Sequence, residues 1–226
     1  MNLLLGPAAD CERLGDGFLV QPVNSISSLA LVVVGVLLVG SARRHERHSP
    51  IFYFGSLLIL AGIGSAAFHG FPGPTTTRLH DVSLIGLLLL AAVSELNRRA
   101  RPRWSSAWWW TSFPIAAVAV ALKPEATTGL AIVLAIVAFG LVAAPSEWSR
   151  LNSQAAISTG RKNALMLPIV VLAIGFGLFI LSRTDMPLCA PESLLQGHAI
   201  WHLSVAAGVG LYSQTYRRLD SYSGVT

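Results

Sequence analysis

Two apolar segments each carry polar residues four positions apart. The segment GSAAFHG, residues 64–70, contains Ser65 and His69, and the segment GHAIWHL contains His198 and His202. Residues at this spacing lie on one face of a helix. Two such histidines can present ring nitrogens to one metal ion, and a third histidine from another helix can complete the site. The spacing therefore predicts a metal site, for which zinc is the natural ion.

A carboxylate follows the first of these segments. The segment RLHDVSL contains His80 and Asp81. A catalytic zinc site keeps a position for water, whose pKa the ion lowers to about 7. A carboxylate can deprotonate that water, and a hydroxyl such as that of Ser65 can donate to the oxyanion of an attacked carbonyl. The residue types predict a metal-assisted acyl hydrolase; polar packing between helices is the alternative, and His80 is a further candidate ligand or partner.

The elements that hold these residues are predicted from hydropathy. The chain has 226 residues, of which 53% are hydrophobic and 12% charged, and its mean hydropathy is +0.61. A spanning helix needs roughly 20 apolar residues, and backbone groups in lipid must bond within the helix. We therefore predict an all-α fold, a single polytopic membrane domain over residues 1–226 with seven transmembrane helices. The predicted spans are residues 22–41, 51–69, 79–96, 106–122, 128–145, 163–182 and 196–214.

The distribution of lysine and arginine predicts the orientation of these spans. The loops after the first, third and fifth spans and the carboxyl-terminal tail are basic, whereas the opposite connections are neutral or acidic. By the positive-inside rule the amino-terminal segment 1–21 lies outside and the tail 215–226 is cytoplasmic. The formal charge of +5 is then a topology signal and not a nucleic-acid site. This orientation places all of the polar groups above at one outer depth, where ionisable groups usually face a protein interior.

The chain has two cysteines, and the predicted orientation places both outside. Cys11 precedes the first span and Cys189 precedes the last. An oxidising exterior permits a disulfide between them. Two unpaired thiols are the alternative.

Three stretches of the chain resemble the alkaline ceramidases. They are DCERLGDGFLVQPVNSISSLALVVVG, GIGSAAFHG followed by HDVSLIG, and GHAIWHL. That family belongs to a seven-span metal-hydrolase superfamily that includes the adiponectin-receptor group. The resemblance implies hydrolysis of the ceramide amide by zinc, a disulfide between the two cysteines, and specific site residues. It implies His69, His198 and His202 as zinc ligands and Ser65 and Asp81 as catalytic residues.

The same resemblance implies a calcium site around the first cysteine. Its candidate ligands here are Asp10, Glu12, Asp16 and Gln21. Gln21 stands where the family has an acidic residue. Because calcium favours several oxygen ligands including carboxylates, this difference predicts a weakened calcium site or none.

The function predicted from these observations is a zinc-dependent intramembrane amidohydrolase that cleaves ceramide or a related N-acyl lipid. The substrate would be a membrane lipid, and the site would lie near the outer face of a bacterial inner membrane, with an endoplasmic reticulum or Golgi membrane as the alternative. A zinc-containing receptor or lipid sensor without turnover is the second prediction. A transporter is disfavoured because polar groups occur at one depth of the spans only.

Overall fold

The chain folds into helices along its described length. The computed structural model describes residues 9–43, 50–99, 107–143 and 158–223. No β-strand occurs within these ranges, so the all-α prediction is confirmed for them. The helices are α1 (Pro22–Ser27), α2 (Leu29–Arg43), α3 (Pro50–Gly70), α4 (Pro74–Arg99), α5 (Ala107–Leu122), α6 (Thr127–Ala143), α7 (Ser158–Leu181) and α8 (Gly197–Ser223), with a 3₁₀ turn at Pro124–Ala126 before α6.

Helices coincide with each of the seven predicted segments, and the first segment divides into α1 and α2 at Ser28. Among the described residues, four segments are long and apolar enough to cross a membrane, which indicates a membrane protein. They are Pro22–Ala42, Pro50–Gly70, Pro74–Asn97 and Pro124–Leu141. The segments Trp110–Leu122 and Met166–Leu181 are apolar but shorter.

The count of seven spans and the orientation of the termini stay predictions. The three basic loops on which the orientation depends fall largely on residues 44–49, 100–106 and 144–157, which lie outside the described ranges. The same is true of residues 1–8 of the predicted outer segment and of residues 224–226 of the predicted tail.

Proline and a distant carboxylate define the first helix. Pro22 is its first residue, a position where the missing N–H group costs no helical hydrogen bond. The Glu12 carboxylate accepts the N–H groups of Val23 and Asn24 at 2.7 and 2.8 Å. These N–H groups have no partner within the helix, and a negative charge is favourable at this end. Glu12 therefore fixes where the first helix begins.

The hydrophobic core lies between α2, α3, α4 and α8. It includes Leu31 and Leu38 of α2, Phe54 and Leu58 of α3, Leu90 of α4 and Ala206 of α8. Helices α2 and α3 approach closely where Gly35 faces Gly55: a Cβ atom on Gly35 would lie 2.7 Å from the Gly55 carbonyl oxygen. Small residues of this kind allow membrane helices to pack backbone against backbone.

The amino-terminal segment is fastened to two other parts of the molecule. The predicted disulfide is present, and it joins Cys11 to Cys189 in the loop between α7 and α8 with a Cα–Cα distance of 5.4 Å. The N–H groups of Val20 and Gln21 donate to the carbonyl oxygens of the last two residues of α3, each at 3.0 Å. The segment thus connects the carboxyl end of α3 with the connection that leads into α8.

We expect Gly35→Ala to lower the free energy of unfolding by about 1–3 kcal/mol, because its Cβ would overpack the α2–α3 contact. Gly40→Ala in the same helix is the matched control, since nothing lies within 4 Å of a Cβ built there. Thermal unfolding of the detergent-solubilised variants measures the difference. Equal midpoints for the two variants would contradict the close approach of α2 and α3.

Candidate functional site

Three histidines from two helices converge at one end of the bundle. His69 is the penultimate residue of α3, whereas His198 and His202 lie in the first two turns of α8. One potential ligand atom from each histidine lies within 4.8 Å of the other two. The ring centroids of His69 and His198 are 4.7 Å apart, and those of His198 and His202 are 4.6 Å apart. The structure thus brings together the three histidines considered as ligands from the sequence.

The two ring nitrogens of His69 have different surroundings. His69 is fully buried, and its Nδ1 lies 2.7 Å from the Oε1 atom of Gln21. Its Nε2 is buried without a hydrogen-bond partner in the described part of the chain. Leaving such an atom unsatisfied typically costs about 1–3 kcal/mol. A metal ion bound to Nε2 would satisfy it, so the residues present fit a metal.

His202 is held by serines on both sides of its ring. Its Nδ1 lies 2.9 Å from Ser27 Oγ, which donates its own proton to the carbonyl oxygen of Asn24 at 3.0 Å. Ser27 therefore accepts a hydrogen bond from Nδ1, and Nε2 keeps its lone pair. That Nε2 lies 3.1 Å from Ser65 Oγ. The buried Ser65 hydroxyl therefore adjoins Nε2, the nitrogen of His202 to which a metal would bind.

His198 is oriented by a carboxylate of the amino-terminal segment. Its Nδ1 lies 2.8 Å from Asp10 Oδ1, and Arg183 Nη1 lies 3.6 Å from the same oxygen. The Phe179 ring packs edge-on against His198 at a centroid distance of 4.9 Å. Each of the three histidines therefore has its Nδ1 on a protein group. Metal-ligating histidines usually show this arrangement, and three such ligands are the usual donor set of catalytic zinc.

Asp81 is held by two partners at the same end of the bundle. Its Oδ1 lies 3.0 Å from His80 Nδ1, and its Oδ2 accepts a hydrogen bond from Thr127 Oγ1 at 3.0 Å. The His80 ring also stacks on Phe68 at 4.8 Å. His80 is therefore a partner of Asp81 and not one of the three clustered histidines.

Helices α3 and α4 cross closely at Gly64 and His80. A Cβ atom on Gly64 would lie 3.1 Å from the backbone nitrogen of His80, so the two helices approach through glycine at this point. Ser65 follows Gly64 in α3, and Asp81 follows His80 in α4. The crossing thus brings the two helices together next to the residues that carry the predicted catalytic side chains.

A comparison with protein families identifies the kind of protein. The ceramidase family model matches residues 18–223, which is most of the chain. The chain belongs to the ceramidase family. The resemblance predicted from the sequence motifs is confirmed. No curated protein sequence matches this ceramidase-family chain. The family match covers the histidine cluster, Ser65, Asp81 and Gln21, but it begins after Asp10, Glu12 and Asp16.

Three of the four calcium candidates in this ceramidase-family chain have a hydrogen-bond partner on at least one side-chain oxygen. Both oxygens of Glu12 accept backbone N–H groups, and burial raises the pKa of its carboxyl above the usual range, although those N–H groups of Asn24 and Val23 act in the opposite direction. Asp10 binds His198, and Gln21 Oε1 binds His69. Asp16 is exposed.

Sequence reasoning gave no role to Ser27, Ser28 or Thr127. Ser27 and Ser28 lie within 2.9 and 3.3 Å of His202 Nδ1, and Ser28 also bonds to Ser65 at 2.9 Å. A serine pair near the start of an apolar span is a signal that could have drawn attention. Thr127 lies 46 positions from Asp81, and nothing in the sequence connects the two.

We expect the purified wild type to bind about one zinc ion per chain, because three histidine ligands are the usual donor set of a catalytic zinc site. His202→Ala removes one ligand and should abolish stoichiometric binding. His80→Ala is the control, since His80 pairs with Asp81. Elemental analysis by mass spectrometry measures bound zinc. The site is contradicted if His202→Ala keeps its zinc or if His80→Ala also loses it.

Proposed function

We propose that this chain is a zinc-dependent intramembrane amidohydrolase. It cleaves the amide bond of ceramide or a related N-acyl lipid into a free amine base and a fatty acid. Membership of the ceramidase family supports hydrolysis of a ceramide-like lipid. The observation that carries the proposal is the cluster of His69, His198 and His202, each with its Nδ1 on a protein partner.

The three histidines are the proposed zinc ligands. When bound by these histidines, zinc would supply a water of lowered pKa, about 7, and Lewis-acid polarisation of the substrate carbonyl. Ser65 adjoins His202 at 3.1 Å, so its hydroxyl is suited to donate a hydrogen bond to the carbonyl oxygen as negative charge develops there. Ser28 Oγ, 2.9 Å from Ser65 Oγ, helps to hold that hydroxyl in place.

Asp81 is the proposed base. Its carboxylate accepts a proton from the attacking water while the new carbon–oxygen bond forms at the amide carbon. It then gives this proton to the amide nitrogen as the carbon–nitrogen bond breaks, which releases a carboxylic acid and an amine. Hydrogen bonds from Thr127 and His80 orient the carboxylate for this transfer.

The apolar surroundings of the site suit a lipid substrate. Three aromatic side chains lie between His198 and the exposed side of α7. Phe179 contacts His198, and the rings of Phe176 and Trp201 pack together at a centroid distance of 5.7 Å. Phe176 is 49% exposed. In the proposed membrane arrangement of seven spans, with the amino terminus outside, a lipid chain lies along this group while its amide reaches the zinc. A bacterial inner membrane is the proposed location, and an endoplasmic reticulum or Golgi membrane is the alternative.

The arrangement of Asp81 favours a hydrolase over a receptor without turnover. A structural zinc site would close with a fourth protein ligand, for which His80 and Asp81 are the nearest candidates in the sequence. His80 and Asp81 are instead hydrogen-bonded to each other, and Asp81 also accepts a hydrogen bond from Thr127. A carboxylate oriented by hydrogen bonds in this way supports the proposed role in proton transfer.

Ser65→Ala is expected to lower the turnover number by about 10²–10³-fold and to keep its zinc, because a single oxyanion donor is lost. Ser83→Ala is the matched control, since the buried Ser83 hydroxyl bonds, among the described residues, only to backbone oxygens of its own helix. Release of fatty acid from a short-chain ceramide in detergent micelles measures the reaction. Full activity in Ser65→Ala would remove the proposed role of this hydroxyl.

Asp81→Asn is expected to be less active than Ser65→Ala, because an amide cannot accept the proton of the attacking water. Its zinc content should equal that of the wild type.

The same fatty-acid release assay, extended to other N-acyl lipids, tests the proposed function itself. Zinc-loaded wild type that hydrolyses none of these amides would reject the amidohydrolase proposal and leave the receptor as the better interpretation.

A further inference from the structure

Gln21 connects the amino-terminal segment with the histidine cluster. We propose that Gln21 is a positioning residue for the metal ligand His69, and that its amide fastens the amino-terminal segment without a calcium ion. The inference rests on the zinc site of the proposed function. It assigns to Gln21 a task that differs from the calcium binding implied by the sequence resemblance.

The amide of Gln21 can bond in one orientation only. Its Nε2 donates to the backbone carbonyl oxygen of Glu12 at 3.1 Å, and a carbonyl oxygen only accepts. Its Oε1 must therefore face His69 Nδ1, at 2.7 Å. An amide oxygen likewise only accepts, so Nδ1 carries the proton of the neutral ring and Nε2 keeps the lone pair. Gln21 thus selects the form of His69 that can bind a metal through Nε2.

The position of Gln21 is fixed by its backbone as well as by its side chain. Its N–H donates to the carbonyl oxygen of His69 at 3.0 Å, and the N–H of Val20 donates to that of Gly70 at 3.0 Å. Gln21 is fully buried at the start of α1. The backbone therefore pairs with the same residue that the side chain orients, which makes this a rigid two-point contact.

The same contacts do not fit a calcium ion. Calcium takes 6–8 oxygen ligands at about 2.3–2.6 Å. Both oxygens of the Glu12 carboxylate accept the N–H groups of Val23 and Asn24, and Oδ1 of Asp10 is engaged by His198. With a carboxylate at position 21, one carboxylate oxygen would face the Glu12 carbonyl oxygen. Because both atoms are hydrogen-bond acceptors, a cation would be needed between them. The NH₂ group of Gln21 removes that need.

The zinc dissociation constant tests the positioning role. We expect Gln21→Ala to weaken zinc binding by about 10- to 100-fold, the usual effect of removing a group that orients a metal-bound histidine. Gln196→Ala is the matched control. Like Gln21, Gln196 is buried just before a helix, in this case α8, and its amide donates to backbone carbonyl oxygens of the preceding loop. Chelator competition measures the constants, and the visible spectrum of the cobalt-substituted protein reports the ligand geometry.

A spectrum and a dissociation constant that change in Gln21→Ala but not in Gln196→Ala support the inference. Unchanged values in Gln21→Ala, or equal changes in both variants, overturn it. A wild type that binds no zinc defeats the proposed function together with the inference. A zinc-binding wild type with an unaffected Gln21→Ala variant defeats the inference alone.

Calcium provides the second test. The wild type should show the same melting temperature and zinc affinity with added calcium as in calcium-free buffer. Gln21→Glu should bind zinc more weakly in calcium-free buffer and recover when calcium is added, because the ion can bridge the new carboxylate and the Glu12 carbonyl oxygen. A wild type stabilised by calcium, or a Gln21→Glu variant identical to the wild type in calcium-free buffer, overturns the inference.

Discussion

The structure around the candidate site depends on one requirement of buried histidine. A neutral imidazole in an apolar interior needs an acceptor for its N–H group, and only then is the other nitrogen free to bind a metal. His69 meets this requirement through Gln21, His198 through Asp10 and His202 through Ser27. None of these acceptors belongs to the helix that carries its histidine. The site therefore exists only when the first helix and the amino-terminal segment are in place.

This dependence explains how the amino-terminal segment is anchored. The disulfide from Cys11 to Cys189 ties it to the connection before α8, and the backbone pairing of Gln21 with His69 ties it to α3. Glu12, adjacent to Cys11, caps the first helix, which carries Ser27. One short stretch of chain thus delivers acceptors to histidines from both helices. Because a disulfide restricts the unfolded chain most when it closes a long loop, the separation of 178 residues suits this task.

Glycine determines how closely the helices that carry the site can pack. The hydrophobic effect does not drive helices together within lipid, so close van der Waals contact between them matters more than in water. Gly35 and Gly55 bring α2 against α3, and Gly64 brings α3 against α4 beside Ser65. Close backbone contact therefore sets how α3 packs against α4 next to the residues that carry the catalytic candidates.

The sequence by itself determined the helices and the candidate residues. Long apolar stretches can satisfy their backbone groups only as helices, and a four-residue spacing places His198 and His202 on one face whatever surrounds them. Both properties are local, so they can be read from the chain. Only the tertiary structure decided the partners. The bonds from Gln21 to His69 and from Thr127 to Asp81 join residues 48 and 46 positions apart, and the bond from Ser27 to His202 joins residues 175 apart. No local pattern encodes such pairs, because they arise from the angles and depths at which whole helices pack. For the same reason a glutamine that sequence reasoning could treat only as a weakened calcium ligand lies against a histidine of the candidate metal site.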